Sequence, residues 1–160
     1  MALVQAVGRT NVPTPRAVGP RLPRVLVERP RLTSLLDADV PLTVLRAPLG
    51  FGKSTLVAQY LRERPDNAAR AAWIRLGADF ADRAQFWAAV LRALEDVPDL
   101  VVPDGPNPRA RVRGALLQAT DALTLVLDEF EHVTAQGVDD ELLTILRDSR
   151  HLRLVVCLRG

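Results

Sequence analysis

A chain of 160 residues is one domain's worth, and an apolar content of 48% is enough to bury a core, which excludes a disordered or fibrous protein. Its 21 basic and 19 acidic side chains leave a formal charge of +2 without clustering, so the composition carries no nucleic-acid footprint. The apolar runs are too short to span a bilayer, the start has no basic region ahead of an apolar one, and the single cysteine permits no internal disulfide, so the expected compartment is cytoplasmic.

Residues 1–23 hold Pro13, Pro15, Pro20 and Pro23 and no acid, which reads as a flexible tail ahead of a globular domain over 24–160. A short helix is expected after Pro30. Residues 41–47, 71–76, 123–128 and 152–158 are short, mostly apolar runs of the kind that form strands buried on both faces of a parallel sheet. Cys157 lies in the last run and is expected in the core.

Helical patterns separate these runs. After Lys53, a stripe of Leu56, Val57, Tyr60 and Leu61 ends before Pro65. Asp82 and Gln85 form a capping box ahead of Phe86, Val90 and Leu94, while Asn107-Pro108 supplies a cap and first-turn proline for Val112, Ala115, Leu116 and Ala119. Asp139 or Asp140 is the expected cap of a last helix carrying Leu142, Ile145 and Leu146. Strand alternating with helix predicts a three-layer α/β fold with a parallel sheet. Trp73, Phe86 and Trp87 read as core, His132 and His151 as loop residues, and Arg109 with Arg113 as one solvated helix face.

Of the basic side chains only Lys53 is lysine. It lies in A-x-x-x-x-G-K-S, Ala47 to Ser54, after a predicted strand and at the start of a predicted helix, the context a P-loop requires. Gly50, Phe51 and Gly52 can turn successive N–H groups inward around a phosphate, and the helix adds its positive end. The compact ammonium of Lys53 suits the β- and γ-phosphates in a way the wider guanidinium fork does not. Ser54 would offer its hydroxyl to Mg2+, with Thr55 near the α-phosphate. The motif therefore points to ATP or ADP as the ligand.

A magnesium site also needs a carboxylate at the end of a later strand, and residues 123–128 deliver Asp128 there, followed by Glu129. Asp128 is assigned to the metal and Glu129 to orienting or deprotonating an attacking water. Arg159 emerges at the same sheet edge, either as a γ-phosphate sensor or as ordinary surface.

Together, residues 25–36, 42–61, 71–94, 123–133 and 152–160 resemble the N-terminal ATPase region of large LuxR-type transcriptional regulators of the STAND class of NTPases. The resemblance covers about 24 to 160. It implies a P-loop NTPase sheet of order 5-1-4-3-2, with the fifth strand absent and the domain truncated at its C-terminus. It also implies an alanine opening the P-loop, as Ala47 does, Val27 and Arg29 beside the adenine, and Arg159 as the sensor arginine. Cys157-Leu158 stands where the family has Thr-Ser, and Gly77 where an acid is common. The implied function is a slowly hydrolysing, ATP-dependent switch that self-associates, with inducer and DNA acting through regions outside this chain. A free-standing P-loop ATPase or small-molecule kinase is the alternative.

Overall fold

The computed structural model describes residues 19–37, 39–77, 80 and 82–160. Residues 1–18, most of the stretch read as a flexible tail, lie outside the described residues.

The four apolar runs form one parallel sheet from β1 (Leu42–Ala47), β2 (Ala71–Arg75), β3 (Leu123–Asp128) and β4 (Leu152–Arg159), in the order β1-β4-β3-β2. This is the expected fold, with the four strands in the expected sequence. Position in the sheet decides how each strand meets solvent. The inner strand β3 is buried at every residue, whereas β1, at an edge among the described residues, alternates half-buried and exposed positions, with Val44 50% exposed. The expectation of burial on both faces therefore fails for β1, because the face that carries Val44 and Arg46 is left uncovered among the described residues.

Among the described residues six helices flank the sheet: α1 (Pro30–Leu36), α2 (Lys53–Arg62), α3 (Pro65–Ala69), α4 (Arg83–Glu95), α5 (Pro108–Gln118) and α6 (Val138–Asp148). Pro65, read as a stop, also starts α3, since its missing N–H costs nothing in a first turn. Asp82 caps α4 by accepting from the Ala84 N–H, and Asn107 caps α5 by accepting from the Ala110 N–H. The cap of α6 differs from expectation. Gly137 occupies it, and Asp139, Asp140 and Glu141 fall in the first turn, where they complement the positive end of the helix. Among the described residues no helix is long and apolar enough to cross a membrane.

The period of two along β3 and β4 sorts side chains between two cores. Leu123, Leu125, Leu127, Leu152, Leu154 and Val156 pack with α4, α5 and α6, while Val126, Val155 and the fully buried Cys157 pack with α1 and α2. Phe86 and Trp87 sit in the first core at a ring separation of 5.1 Å, and Trp73 is half-buried against the second. The first core is further tied by Glu141 of α6, which accepts hydrogen bonds from Trp87 Nε1 at 2.9 Å and from the Arg83 guanidinium, and forms an ion pair with Arg109 at 2.9 Å. Arg113 pairs with Asp148 of α6 at 3.0 Å. Arg109 and Arg113 thus do share a helix face, which stays 42% and 48% exposed while pairing with acids of α6.

Candidate functional site

The loop between β1 and α2 takes its shape from two glycines. Gly50 and Gly52 have φ of +81° and +79°, a region that strains residues with a Cβ. Gly52 is also the N-cap of α2, so the first N–H groups of that helix open onto the loop. The ammonium of Lys53 folds across the same loop, donating to the Ala47 carbonyl at 2.6 Å and the Pro48 carbonyl at 3.2 Å. The Phe51 ring is 61% exposed, and its carbonyl accepts from Arg29 Nη1 at 2.9 Å.

Opposite the loop stands the end of β3. Asp128 follows Val126 by two residues and so faces the α2 side of the sheet, where it is 4% exposed. Its Oδ1 accepts from Ser54 Oγ at 2.8 Å. A hydroxyl and a buried carboxylate held together are hard oxygen donors of the kind Mg2+ prefers, so the residues present fit that ion.

Glu129, one position on, should point to the opposite face if β3 continued. Instead its own backbone turns left-handed, at φ 60° and ψ 40°, before the 3₁₀ turn Phe130–His132. That conformation costs a residue with a Cβ about 1–2 kcal/mol. It returns the carboxylate to the α2 face, where Oε1 accepts from Arg75 Nε at 3.0 Å and Nη2 at 2.7 Å. The hydrogen bond to Glu129, reinforced by its charge, raises the pKa of Arg75.

A cavity of about 240 Å³ is lined by Gly50, Gly52, Lys53, Ser54, Thr55, Asp128, Glu129 and Arg159, joined by Leu49 and Glu131. Glu131 was not expected. Its Oε2 accepts from the backbone N–H of Arg159 at 3.1 Å and fixes the end of β4; the only signal was a third acid in residues 128–131. Cys157 lies behind this wall. Burial, with Asp128 nearby, pushes its thiol pKa up to about 12, so it stays a neutral core residue.

Val27 and Arg29 line a second cavity of about 180 Å³, together with Pro23, Val25, Leu26, Leu56 and Gln59, and it shares Gly52 and Thr55 with the first. The structure therefore brings together Gly50, Gly52, Lys53, Ser54, Thr55, Asp128, Glu129 and Arg159, and sets Val27 and Arg29 next door. Ala47 and Phe51 line neither cavity; with Leu32, Leu35 and Arg46 they border a third, of about 220 Å³, on the β1 side.

A parallel sheet with a glycine loop and lysine leading into a helix, and an aspartate at the end of an inner strand facing that loop, defines a P-loop NTPase domain. The AAA domain family matches residues 39–159, and the chain belongs to that family. The chain is also similar to the serine/threonine-protein kinase PknK of Mycobacterium tuberculosis (strain CDC 1551 / Oshkosh), 28% identical over 169 residues. PknK of Mycobacterium bovis (strain ATCC BAA-935 / AF2122/97) gives the same identity. Each alignment spans 93% of this chain, and the chain spans 15% of the length of these relatives. Among solved structures it is similar to C. elegans PCH-2, at 15% identity and a TM-score of 0.40, covering 81% of this chain and 34% of that one.

Proposed function

We propose that this chain is the nucleotide-switch module of a LuxR-type, STAND-class transcriptional regulator, binding Mg-ATP or Mg-ADP and hydrolysing ATP slowly. The observation that carries the nucleotide reading is the 2.8 Å bond from Ser54 to Asp128 beside a lysine-bearing glycine loop. The regulator reading rests on the resemblance along about 24 to 160. Inducer and DNA would act through regions outside these residues, and ATP would favour self-association of the larger protein.

The N–H groups from Gly50 to Lys53 would cradle the phosphates, and Lys53 would exchange the Ala47 and Pro48 carbonyls for β- and γ-phosphate oxygens. Thr55 would lie near the α-phosphate, with Val27 and Arg29 flanking the base in the adjoining cavity. Magnesium held by Ser54 and Asp128 would neutralise charge on the phosphate oxygens. Glu129 would take the proton of a water whose oxygen attacks the γ-phosphorus as the bond to the bridging oxygen breaks, leaving ADP and phosphate. Arg159 would lie on the γ-phosphate side.

Incubation with Mg-ATP labelled at the γ-phosphate tests this. The expected result is saturable binding, slow release of inorganic phosphate and no label on added alcohol, sugar or nucleoside acceptors. Efficient transfer to such an acceptor would replace the switch with a kinase.

A further inference from the structure

Three carboxylates reach the P-loop cavity, and the nucleotide reading uses two of them. Asp128 is bonded by Ser54 and Glu129 by Arg75, so each has a donor of its own. Glu131 is different. It is exposed and lines the cavity with Arg159, yet among the described residues no lysine, arginine or histidine side chain pairs with it. Nor does it belong to a cluster of three acids, histidines or cysteines grouped to hold a metal, since the described residues contain none.

What fixes Glu131 is the backbone at the end of β4. Its Oε2 accepts from the Arg159 N–H at 3.1 Å, and the next amide, that of Gly160, donates to the Ala47 carbonyl at 3.2 Å. The same carbonyl takes Lys53 Nζ at 2.6 Å. The carboxylate is thus tethered to the cavity wall beside Arg159, on the side assigned above to the γ-phosphate, with no counter-ion.

We propose that Glu131 is a specificity-determining residue that sets the preference of this site between nucleoside di- and triphosphates, by holding an unpaired negative charge where only the γ-phosphate comes close. This rests on the nucleotide reading above and deepens it. A triphosphate carries a further ionised phosphoryl group to that end of the cavity, so repulsion from Glu131 weakens it more than the diphosphate. Because Glu131 is exposed, water and salt limit the effect to about two- to fivefold in relative affinity. The tether gives the charge its leverage. An unbonded glutamate would swing into solvent on meeting a phosphate, whereas this one must first abandon the Arg159 N–H.

Calorimetric titration of the full chain at low ionic strength, with Mg-ADP and with magnesium plus a non-hydrolysable ATP analogue, tests this through the ratio of the two dissociation constants. Glu131→Gln keeps an acceptor for the Arg159 N–H and removes the charge, so the ratio should move about two- to fivefold in favour of the analogue. Glu131→Asp keeps the charge and should stay near the parental ratio. Added sodium chloride should narrow the difference between the parent and Glu131→Gln. A parental ratio in Glu131→Gln, a move in favour of ADP, an equal move in Glu131→Asp, or a difference indifferent to salt overturns the proposal. A parent that binds neither nucleotide overturns the nucleotide reading beneath it instead.

Discussion

Ser54 Oγ donates to Asp128 Oδ1 at 2.8 Å across a sequence separation of 74 residues. The bond joins the first turn of α2 to the end of β3, and it spans β4, which lies between β1 and β3 in the sheet. Two independent periodicities produce it: the helix phase that turns Ser54 inward and the strand alternation that puts Asp128 on the α2 face.

The first prediction follows from that pair. Ser54→Ala and Asp128→Asn should each weaken nucleotide binding by roughly 10- to 100-fold in magnesium, the scale of losing one charge-assisted partner. With the metal removed by chelator, parent and variants should bind with similar, low affinity. Calorimetric titration with ADP, with and without magnesium, reads the difference directly. Equal magnesium dependence in parent and variants would dissociate the pair from the metal.

Lys53 provides the second. Saturation with Mg-ADP at 100 times its dissociation constant should add about 2.7 kcal/mol of stability, roughly 5 to 10 °C in melting temperature for a chain of this size. Lys53→Ala should remove that shift. Lys53→Arg should recover little of it, because the planar fork does not fit a space shaped for an ammonium lying across the Ala47 and Pro48 carbonyls.

The strands, the caps of α4 and α5, the P-loop and Asp128 were legible because each rests on local signals: apolar runs, a cap followed by a helix, glycines at fixed spacing. What was illegible required two distant elements at once. The pairing of Arg109 and Arg113 with Glu141 and Asp148 depends on how α5 packs against α6. Arg75 carries no local signal of its pairing with Glu129, which arises only because β2 lies beside β3. The cap of α6 is Gly137 rather than Asp139 or Asp140, because acids mark a helix start equally well as cap or as first turn. The left-handed backbone at Glu129 has no sequence signal in a residue with a Cβ.

A third prediction concerns the Glu141 junction. Its side chain is 11% exposed and gathers Trp87, Arg83 and Arg109. Glu141→Ala leaves an indole N–H and the Arg83 guanidinium without their acceptor and the Arg109 guanidinium without its counter-ion, at a cost of about 2 to 4 kcal/mol. Thermal denaturation should move down by roughly 5 to 15 °C. Glu141→Gln, which keeps an acceptor for Trp87 and loses only the charge, should fall between. A melting point unmoved in Glu141→Ala would mean that the apolar contacts of Phe86, Val90, Leu142 and Ile145 alone hold α4 and α6 in place.

The last prediction separates binding from chemistry at Glu129. Its carboxylate borders the cavity that also holds Lys53, Ser54 and Asp128, yet it makes no bond to Ser54, and its oxygen Oε1 is taken by Arg75. A residue so placed is expected to contribute little to holding nucleotide, and in the proposed reading its role is to act on water. Glu129→Gln preserves size while removing the base, so nucleotide affinity should stay within about twofold while single-turnover hydrolysis slows by roughly 10²- to 10⁴-fold, the range for loss of a general base. The same change also breaks the charge pair with Arg75, which exposes the alternative directly. If Glu129 served only as structural counterion to Arg75, Glu129→Gln would lower the melting temperature slightly and leave the rate alone. Hydrolysis at the parental rate, measured with the melting temperature on one preparation, would therefore reassign Glu129 from base to counterion and leave Ser54 and Asp128 as the magnesium pair.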